Sequence, residues 1–304
     1  MPDNRVIRAI LLFSLVALTC LLSTSCASDH DAGKLRVTIL DVGQGDSILV
    51  ETPSGRTMLI DGGGSNDETA VDPADVGRKT VIPYLRYRGI GRIDVVVLTH
   101  PHSDHVGGLV AVLKDERVDA VLDGTVLPYD TPPYEAFLKE IASDHIPYRH
   151  AVRGTHLDFG DGVTGDVLNP PAIGTPYGTE TDNATVNNYS TVIRLSYGKT
   201  HVILDGDAEE QAEDNMLASA DDVSADVLKC GHHGAANATS NTWLDRVRPR
   251  YAAISCGLHN SFGHPSPQTI DRLRAHGIVP TVTATAGAAV YVSDGVQVVE
   301  EKTP

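Results

Sequence analysis

The sequence predicts one large α/β domain, and three observations predict it. Ile93–Leu98 is a strand-like apolar run, Leu109, Val110, Val112 and Leu113 continue a helix, and Val118–Leu122 is again strand-like, so residues 93–122 read as a β-helix-β unit. Residues 35–60 and 192–204 alternate apolar and polar side chains between Gly-rich turns, as half-buried strands do. About 270–280 residues remain once an N-terminal targeting segment is set aside, enough for a substantial core in one domain.

That segment comes first. Arg5 and Arg8 precede the apolar run Ala9–Leu22, and Ser23-Thr24-Ser25-Cys26-Ala27-Ser28 comes next. This is the layout of a secretion signal over residues 1–25, and the run is too short to span a bilayer comfortably. Cys26 sits where a bacterial lipoprotein would be cleaved, with the expected Leu displaced by one position. The expectations are therefore lipidation of Cys26 or simple release after Ser25 or Ala27, and in both cases work outside the cytoplasm. Residues 26–34 then form a short linker and 35–302 the domain. A formal charge of −16 favours solubility and works against nonspecific adhesion to phosphate polymers, although bound divalent ions can reverse the sign locally. Of four Cys, Cys20 lies in the signal; Cys230 and Cys256 each follow an apolar run and suit either a disulfide or two buried thiols.

Leu35–Thr52 gives two strand patterns around Gly43-Gln44-Gly45, and Thr57–Ile60 a third that ends at Asp61-Gly62-Gly63-Gly64. Asp61 at a strand end can orient a ligand His or simply shape the turn. Val81, Ile82, Tyr84 and Leu85 suit an amphipathic helix between Arg78 and Arg88, stopped by Gly89.

The chain is organised around the turn at the end of the strand Ile93–Leu98, which carries His100, His102, Asp104 and His105, four metal-type donors in six positions. In an extended turn His100 and His102 point the same way and can share one ion; if a helix begins near Asp104, Asp104 and His105 leave on another side and can take a second. Gly107 and Gly108 allow tight backbone packing there. The pattern His-x-His-x-Asp-His after a buried strand resembles the signature of the metallo-β-lactamase fold superfamily. Asp41-Val42-Gly43-Gln44-Gly45-Asp46 closely resembles the opening of the metallo-β-lactamase-like domain of bacterial competence (DNA-uptake channel) proteins. The resemblance implies a four-layer αββα sandwich with one or two metals at its edge and a mostly hydrolytic family.

Pro133–Ser143 reads as a helix, and 144–187, rich in Gly, Pro, Asp, Thr and Asn, as loops rimming a site with scattered short strands. Asn187–Leu195 and Thr200–Leu204 form two strands leading to Asp207. A carboxylate there can bridge two cations or cap the helix that begins near Ala208; the resemblance assigns the bridging role. Where many members have a third His for the first metal, this chain has Asn188 and Ser190, as the competence-type branch does. His145, His150, His156 and His201 are possible substitutes. Leu228-Lys229-Cys230-Gly231-His232-His233-Gly234 resembles the family's Leu-Lys-x-x-His-His-Gly motif, with His232 favoured as the ligand closing the second site and His233 as its neighbour. Tyr251–Cys256 is a strand, Gln268–His276 a helix, and Val279–Thr285 and Ala288–Ser293 closing strands. Asn260 and His264 resemble the family's loop ending in Gly-His-Pro, whose His faces the metals.

The expected chemistry is phosphodiester hydrolysis by metal-activated water, with Asp104 or Asp46 accepting a proton and His264 or His233 assisting the leaving oxygen. A His-rich set suits zinc, and the carboxylates also suit manganese. The expected substrate is a phosphodiester such as DNA, with transport itself left to other proteins because no transmembrane channel accompanies the domain. Alternatives are hydrolysis of a lactam, thioester or cell-wall phosphodiester on the same fold, or a non-catalytic metal-binding module.

Overall fold

The computed structural model describes residues 33–302 apart from 66, 70–74 and 220; the expected signal segment and Cys26 lie outside them. The chain opens with an antiparallel meander of β1 (Leu35–Ile39), β2 (Ile48–Glu51) and β3 (Thr57–Ile60). A π-helical turn at Gly77–Val81 runs into α1 (Ile82–Tyr87). Next come β4 (Arg92–Ile93), β5 (Val95–Leu98), α2 (Ser103–Asp115), β6 (Arg117–Val118) and β7 (Val121–Asp123), with β3, β5 and β7 parallel, as a β-helix-β unit requires. After α3 (Pro132–Ser143) come β8 (Tyr148–His150), β9 (His156–Asp158) and β10 (Val163–Asn169). The second half runs α4 (Asn183–Asn188), β11 (Val192–Tyr197), β12 (Thr200–Leu204), α5 (Glu210–Leu217), β13 (Val227–Lys229), α6 (Asn241–Val247) and β14 (Tyr251–Ile254). It closes with α7 (Pro267–Ala275), β15 (Thr281–Val282), α8 (Thr283–Ala286), β16 (Ala289–Ser293) and β17 (Val298–Glu301).

The strands form an eight-stranded sheet ordered β17-β16-β1-β2-β3-β5-β7-β8, a seven-stranded sheet ordered β15-β14-β13-β12-β11-β10-β9, and a small β4–β6 pair. Val37, Ile39, Val50, Ile60 and Val97 of the first sheet share a core with Val167, Ile193, Leu195, Val202 and Val227 of the second, so the sheets pack face to face. The opposite face of the first sheet (Leu49, Leu59, Val96, Leu98) packs under α1, α2 and α3; that of the second (Val192, Ile203, Leu228, Ile254) packs under α5, α6 and α7. This is the αββα sandwich. Coverage on both faces explains why every residue of β1 and β3 is buried.

Several sequence expectations need correction. Of Val279–Thr285 only Thr281–Val282 is strand; Thr283–Ala286 turns helical, and Thr283 Oγ1 accepts from Cys256 N at 3.2 Å. β17 went unrecognised because as an edge strand it buries only Val298. Residues 144–187 are more than rim loops, since β8, β9 and β10 complete the far edges of both sheets. Residues 183–188 are helix, where loop was expected up to 187 and a strand from Asn187 onward. Cys230 and Cys256 are free, buried thiols, and burial pushes Cys230 up to about 12.

One contact fixes the start of α2 against the β3 exit. Gly62 N donates to His105 O and Gly108 N to Gly63 O, both at 2.8 Å. A Cβ on Gly108 would lie 1.9 Å from Gly62 O, a backbone atom that cannot swing aside. Ala is worth about 1 kcal/mol more than Gly in a helix, whereas forced overpacking costs roughly 1–3 kcal/mol or more. Gly108→Ala should therefore lower the midpoint of thermal unfolding; an unchanged or raised midpoint would contradict the packing described.

Candidate metal centre

The site is assembled where strands end. β5 delivers Thr99–Asp104 into α2, β12 delivers Asp205–Asp207, β13 delivers His232 and His233, the β1–β2 loop brings Asp46, and the exit of β3 brings Asp61. His100, His102, His105, Asp207, His233, Asp46 and Asp61 are all buried. His102 stands at the N-cap of α2 with extended backbone and Asp104 and His105 lie in its first turn; the rings of His100 and His105 nevertheless meet, with centroids 4.1 Å apart. After β13 the backbone is left-handed at His232 (φ 44°) and His233 (φ 55°), and the two neighbouring rings meet edge to face with centroids 6.0 Å apart.

Nitrogens and oxygens from these segments converge. Asp207 Oδ2 lies 3.3 Å from His105 Nε2, 3.4 Å from His233 Nε2 and 3.8 Å from His100 Nε2. Asp104 Oδ2 is 3.4 Å from His233 Nε2, and Asp104 Oδ1 is 3.9 Å from His105 Nε2. His100 Nε2 and His102 Nδ1 are 3.0 Å apart. The carboxylate distances exceed the usual range of about 2.7–3.2 Å for N–H···O bonds. Three of them, 3.3, 3.4 and 3.4 Å, match the roughly 3.3–3.5 Å between two donors on one tetrahedral ion with bonds near 2.0–2.2 Å, and the 3.8 and 3.9 Å pairs lie just beyond it. His102 Nε2, His105 Nε2, His233 Nε2 and Asp207 Oδ1 are buried without a hydrogen-bond partner, a costly state that a cation would relieve. Two of the convergent triads are His100–His105–Asp207 and Asp104–His105–His233. The donor set therefore fits one or two divalent cations.

Electrostatics agree with the geometry. Burial opposes charge on His105 and His233, yet the carboxylates around them, Asp207 foremost, push both well above the usual imidazole range. Burial would raise Asp207 and Asp104, but His233, His105 and His232 hold Asp207 well below the carboxylate range, and His105 and His233 hold Asp104 at about 2. Burial, with the charge of neighbouring His105 a lesser cause, lowers His100 and His102. The centre attracts positive charge, and two of its histidines are neutral enough to offer lone pairs.

The orienting contacts run outward from these groups. Asp61 Oδ2 faces His105 Nδ1 at 2.8 Å, and the carboxylate is itself fixed by Thr99, whose N donates to Oδ1 (2.8 Å) and whose Oγ1 donates to Oδ2 (2.7 Å). Ser190 Oγ lies 3.2 Å from His100 Nδ1 and accepts from Asp207 N at 3.1 Å, tying the two together. Asn260 clamps its own loop: Oδ1 accepts from Phe262 N and His264 N, and Nδ2 donates to Gly257 O and His264 O. This fixes His264, whose ring sits 5.3 Å from that of His232 and stacks on exposed Phe262 at 5.7 Å. Burial and the positive charge of His232 and His233 push His264 down to about 4.

Four sequence expectations change here. His232, favoured as the ligand, is a quarter exposed and 3.9 Å from Asp207 Oδ2, with Nδ1 3.0 Å from Glu209 Oε1; buried His233 faces the convergent atoms. Asn188 faces away, its Oδ1 accepting from Ala212 N and its Nδ2 donating to Ala184 O. Because α4 rotates its side chains by about 100° per residue, Asn187 is the one turned to the centre, with Nδ2 3.3 Å from His232 Nε2 and 3.2 Å from Glu209 Oε1. Asp46, expected to accept a proton, is ion-paired with Lys229 in the interior. His145, His150 and His156 are exposed, and His201 Nδ1 pairs with Ser196, so none of them substitutes for a third His. Sequence reasoning missed Thr99, Asn187, Glu209 and Lys229. The Asp205–Glu210 run and the Lys inside an apolar strand were the available signals.

Comparison with known proteins agrees with this architecture. The family model described as Metallo-beta-lactamase superfamily matches residues 40–258. ComE operon protein 3 of Bacillus subtilis (strain 168) is 31% identical over 265 residues, covering 84% of this chain and 32% of the relative. Competence protein ComA of Neisseria gonorrhoeae is 31% identical over 253 residues, covering 83% and 31%. The chain thus spans about a third of the length of the curated relatives it matches. Among solved structures, CmlA, a diiron β-hydroxylase from Streptomyces venezuelae, superposes with a TM-score of 0.52 at 13% identity, covering 88% of this chain and 54% of that one; this is a likeness of fold. With its sandwich, its convergent His and Asp residues and a family match over most of its length, the chain belongs to the metallo-β-lactamase superfamily, and within it is similar to a part of the competence proteins.

Proposed function

We propose that the chain is a metal-dependent phosphodiesterase or nuclease working outside the cytoplasm, on DNA during uptake or scavenging. The observation that carries the reading is the meeting of unpartnered ring nitrogens and carboxylate oxygens around Asp207. Likeness to proteins named for competence favours a nucleic-acid diester over a lactam, and the signal-like residues 1–25 favour secretion or anchoring through Cys26.

His100 and His102 would hold one divalent ion, Asp104, His105 and His233 a second, and Asp207 would bridge them. Such ions supply Lewis-acid charge and lower the pKa of a water toward neutrality. The protein's own groups do the rest. Asp61 and Ser190 hold the rings of His105 and His100 in place. Asp104, ionised and partly open to solvent, is positioned to accept a proton. His232, at the mouth with Nδ1 held by Glu209, would hand a proton to the leaving oxygen from Nε2 when substrate displaces the Asn187 amide from it, with His264 beside it. Among the described residues no helix is long and apolar enough to cross a membrane.

The test is a panel of bis(p-nitrophenyl) phosphate, single-stranded DNA and nitrocefin with added manganese or zinc. Turnover of both diesters without nitrocefin is expected. Turnover of nitrocefin alone would move the assignment to a lactam, and inactivity with no metal recovered from the purified protein would make the chain a binding module. On a nucleic acid, Phe262 is placed to stack a base, since it is 55% exposed on a clamped loop beside His264. Base stacking is worth about 1–3 kcal/mol, so Phe262→Ala should raise KM for an oligonucleotide about tenfold and leave KM for an abasic one unchanged; equal effects on both would remove Phe262 from base recognition.

A further inference from the structure

Lys229 is fully buried at the end of β13, in a strand otherwise made of Val227 and Leu228. A buried ammonium is among the costliest groups to take out of water, so its contacts need a reason. It has two. Nζ donates to Gly206 O at 2.8 Å, next to Asp207, and it ion-pairs with Asp46 Oδ2. The Asp41–Asp46 loop and the Leu-Lys-x-x-His-His-Gly stretch, from opposite ends of the chain, thus meet in one charge pair.

Asp46 also stands beside the proposed ligands, on the Nδ1 side of His233. Its Oδ1 has no hydrogen-bond partner and lies 3.6 Å from His233 Nδ1. Ligand atoms of Asp46, Asp207 and His233 lie within 4.8 Å of one another, as do those of Asp46, Asp61 and His105. A further carboxylate on an ion already held by Asp104, His105, His233 and Asp207 would fill the position that a catalytic centre keeps open for water or substrate.

We propose that Lys229 is a positioning residue that holds Asp46 off the metal, keeping a coordination position open, while its bond to Gly206 fixes the turn carrying Asp207. This rests on the metal-centre reading above. The test uses the purified full chain loaded with cobalt(II), whose visible absorption weakens as coordination number rises. In Lys229→Met the released Asp46 should enter the coordination sphere, weakening the bands and slowing cobalt loss to a chelator about tenfold, within the 10–100-fold range by which residues supporting ligands alter metal affinity. Asp46→Asn/Lys229→Met should restore the wild-type spectrum, and Lys229→Arg should keep it. A folded Lys229→Met with wild-type spectrum and retention would overturn the proposal. Asp46→Asn alone gives a second check: its spectrum should match wild type, and a changed one would mean that Asp46 is already a ligand, which also overturns it. A wild-type chain that binds no cobalt would sink the metal-centre reading itself, a failure distinguishable from the others.

Discussion

Asp207→Asn should reduce kcat on a phosphodiester by about a thousandfold or more, roughly 4 kcal/mol of transition-state stabilisation. The substitution preserves volume and the backbone bond from Asp207 N to Ser190 Oγ, so the turn after β12 should stay in place. What it removes is charge at a carboxylate within 3.3–3.8 Å of three histidines from two separate segments. Bound metal, measured by elemental analysis after purification without chelator, should fall by at least one equivalent per chain. The metal-free fold should lose stability, because His105 and His233, which the surrounding carboxylates push well above the usual imidazole range, are left with one buried anionic partner fewer. A native circular dichroism spectrum at the assay temperature with activity gone would separate chemistry from folding. Activity within tenfold of wild type would show that the two proposed ions do not share this group, and the bridging assignment would have to be abandoned.

Much of this was legible in the sequence because the informative residues sit at fixed offsets from strand ends. Four donors between positions 100 and 105 after an apolar strand announce a centre, and Asp61, Asp207 and the His232–His233 pair each close a strand pattern. What could not be read is direction. In a regular strand or helix the period tells which side chains share a face. After β13 the backbone is left-handed at both His232 and His233, and no period applies. The same limit explains Asn188: the stretch before β11 carries too few residues for a helical period to show, and taking it as strand turned Asn187 the wrong way. Asp46 illustrates a third limit, because a carboxylate's role depends on a partner that sequence does not connect to it, here Lys229. The fold's layers were legible through a resemblance. Their termini were not, since β17 is an edge strand with three exposed residues in a row and β15 is only two half-buried residues long before the chain turns helical.

The two adjacent histidines give the sharpest remaining test, because the motif and the geometry assign them differently. His233 is buried, donates from Nδ1 to Ser255 O at 3.0 Å, and presents an unpartnered Nε2 to Asp104 and Asp207. A ring locked through one nitrogen with the other free toward carboxylates is the arrangement of a metal-binding imidazole. His233→Ala should therefore lose one metal equivalent and about a hundredfold or more in kcat, consistent with the effects of disturbing a catalytic ion. His232 is bound to Glu209, partly exposed and backed by Asn187, so its removal should leave metal content at wild type. If it protonates the leaving oxygen, His232→Ala should cost about a hundredfold in kcat on poor leaving groups such as a DNA alcohol. The cost should nearly vanish with p-nitrophenolate, which departs without a proton. Leaving-group dependence is the discriminating readout, since loss of a ligand would slow both substrates alike. If His232→Ala instead empties the site and His233→Ala does not, the two roles are exchanged, and the left-handed turn after β13 must present the opposite ring to the ions.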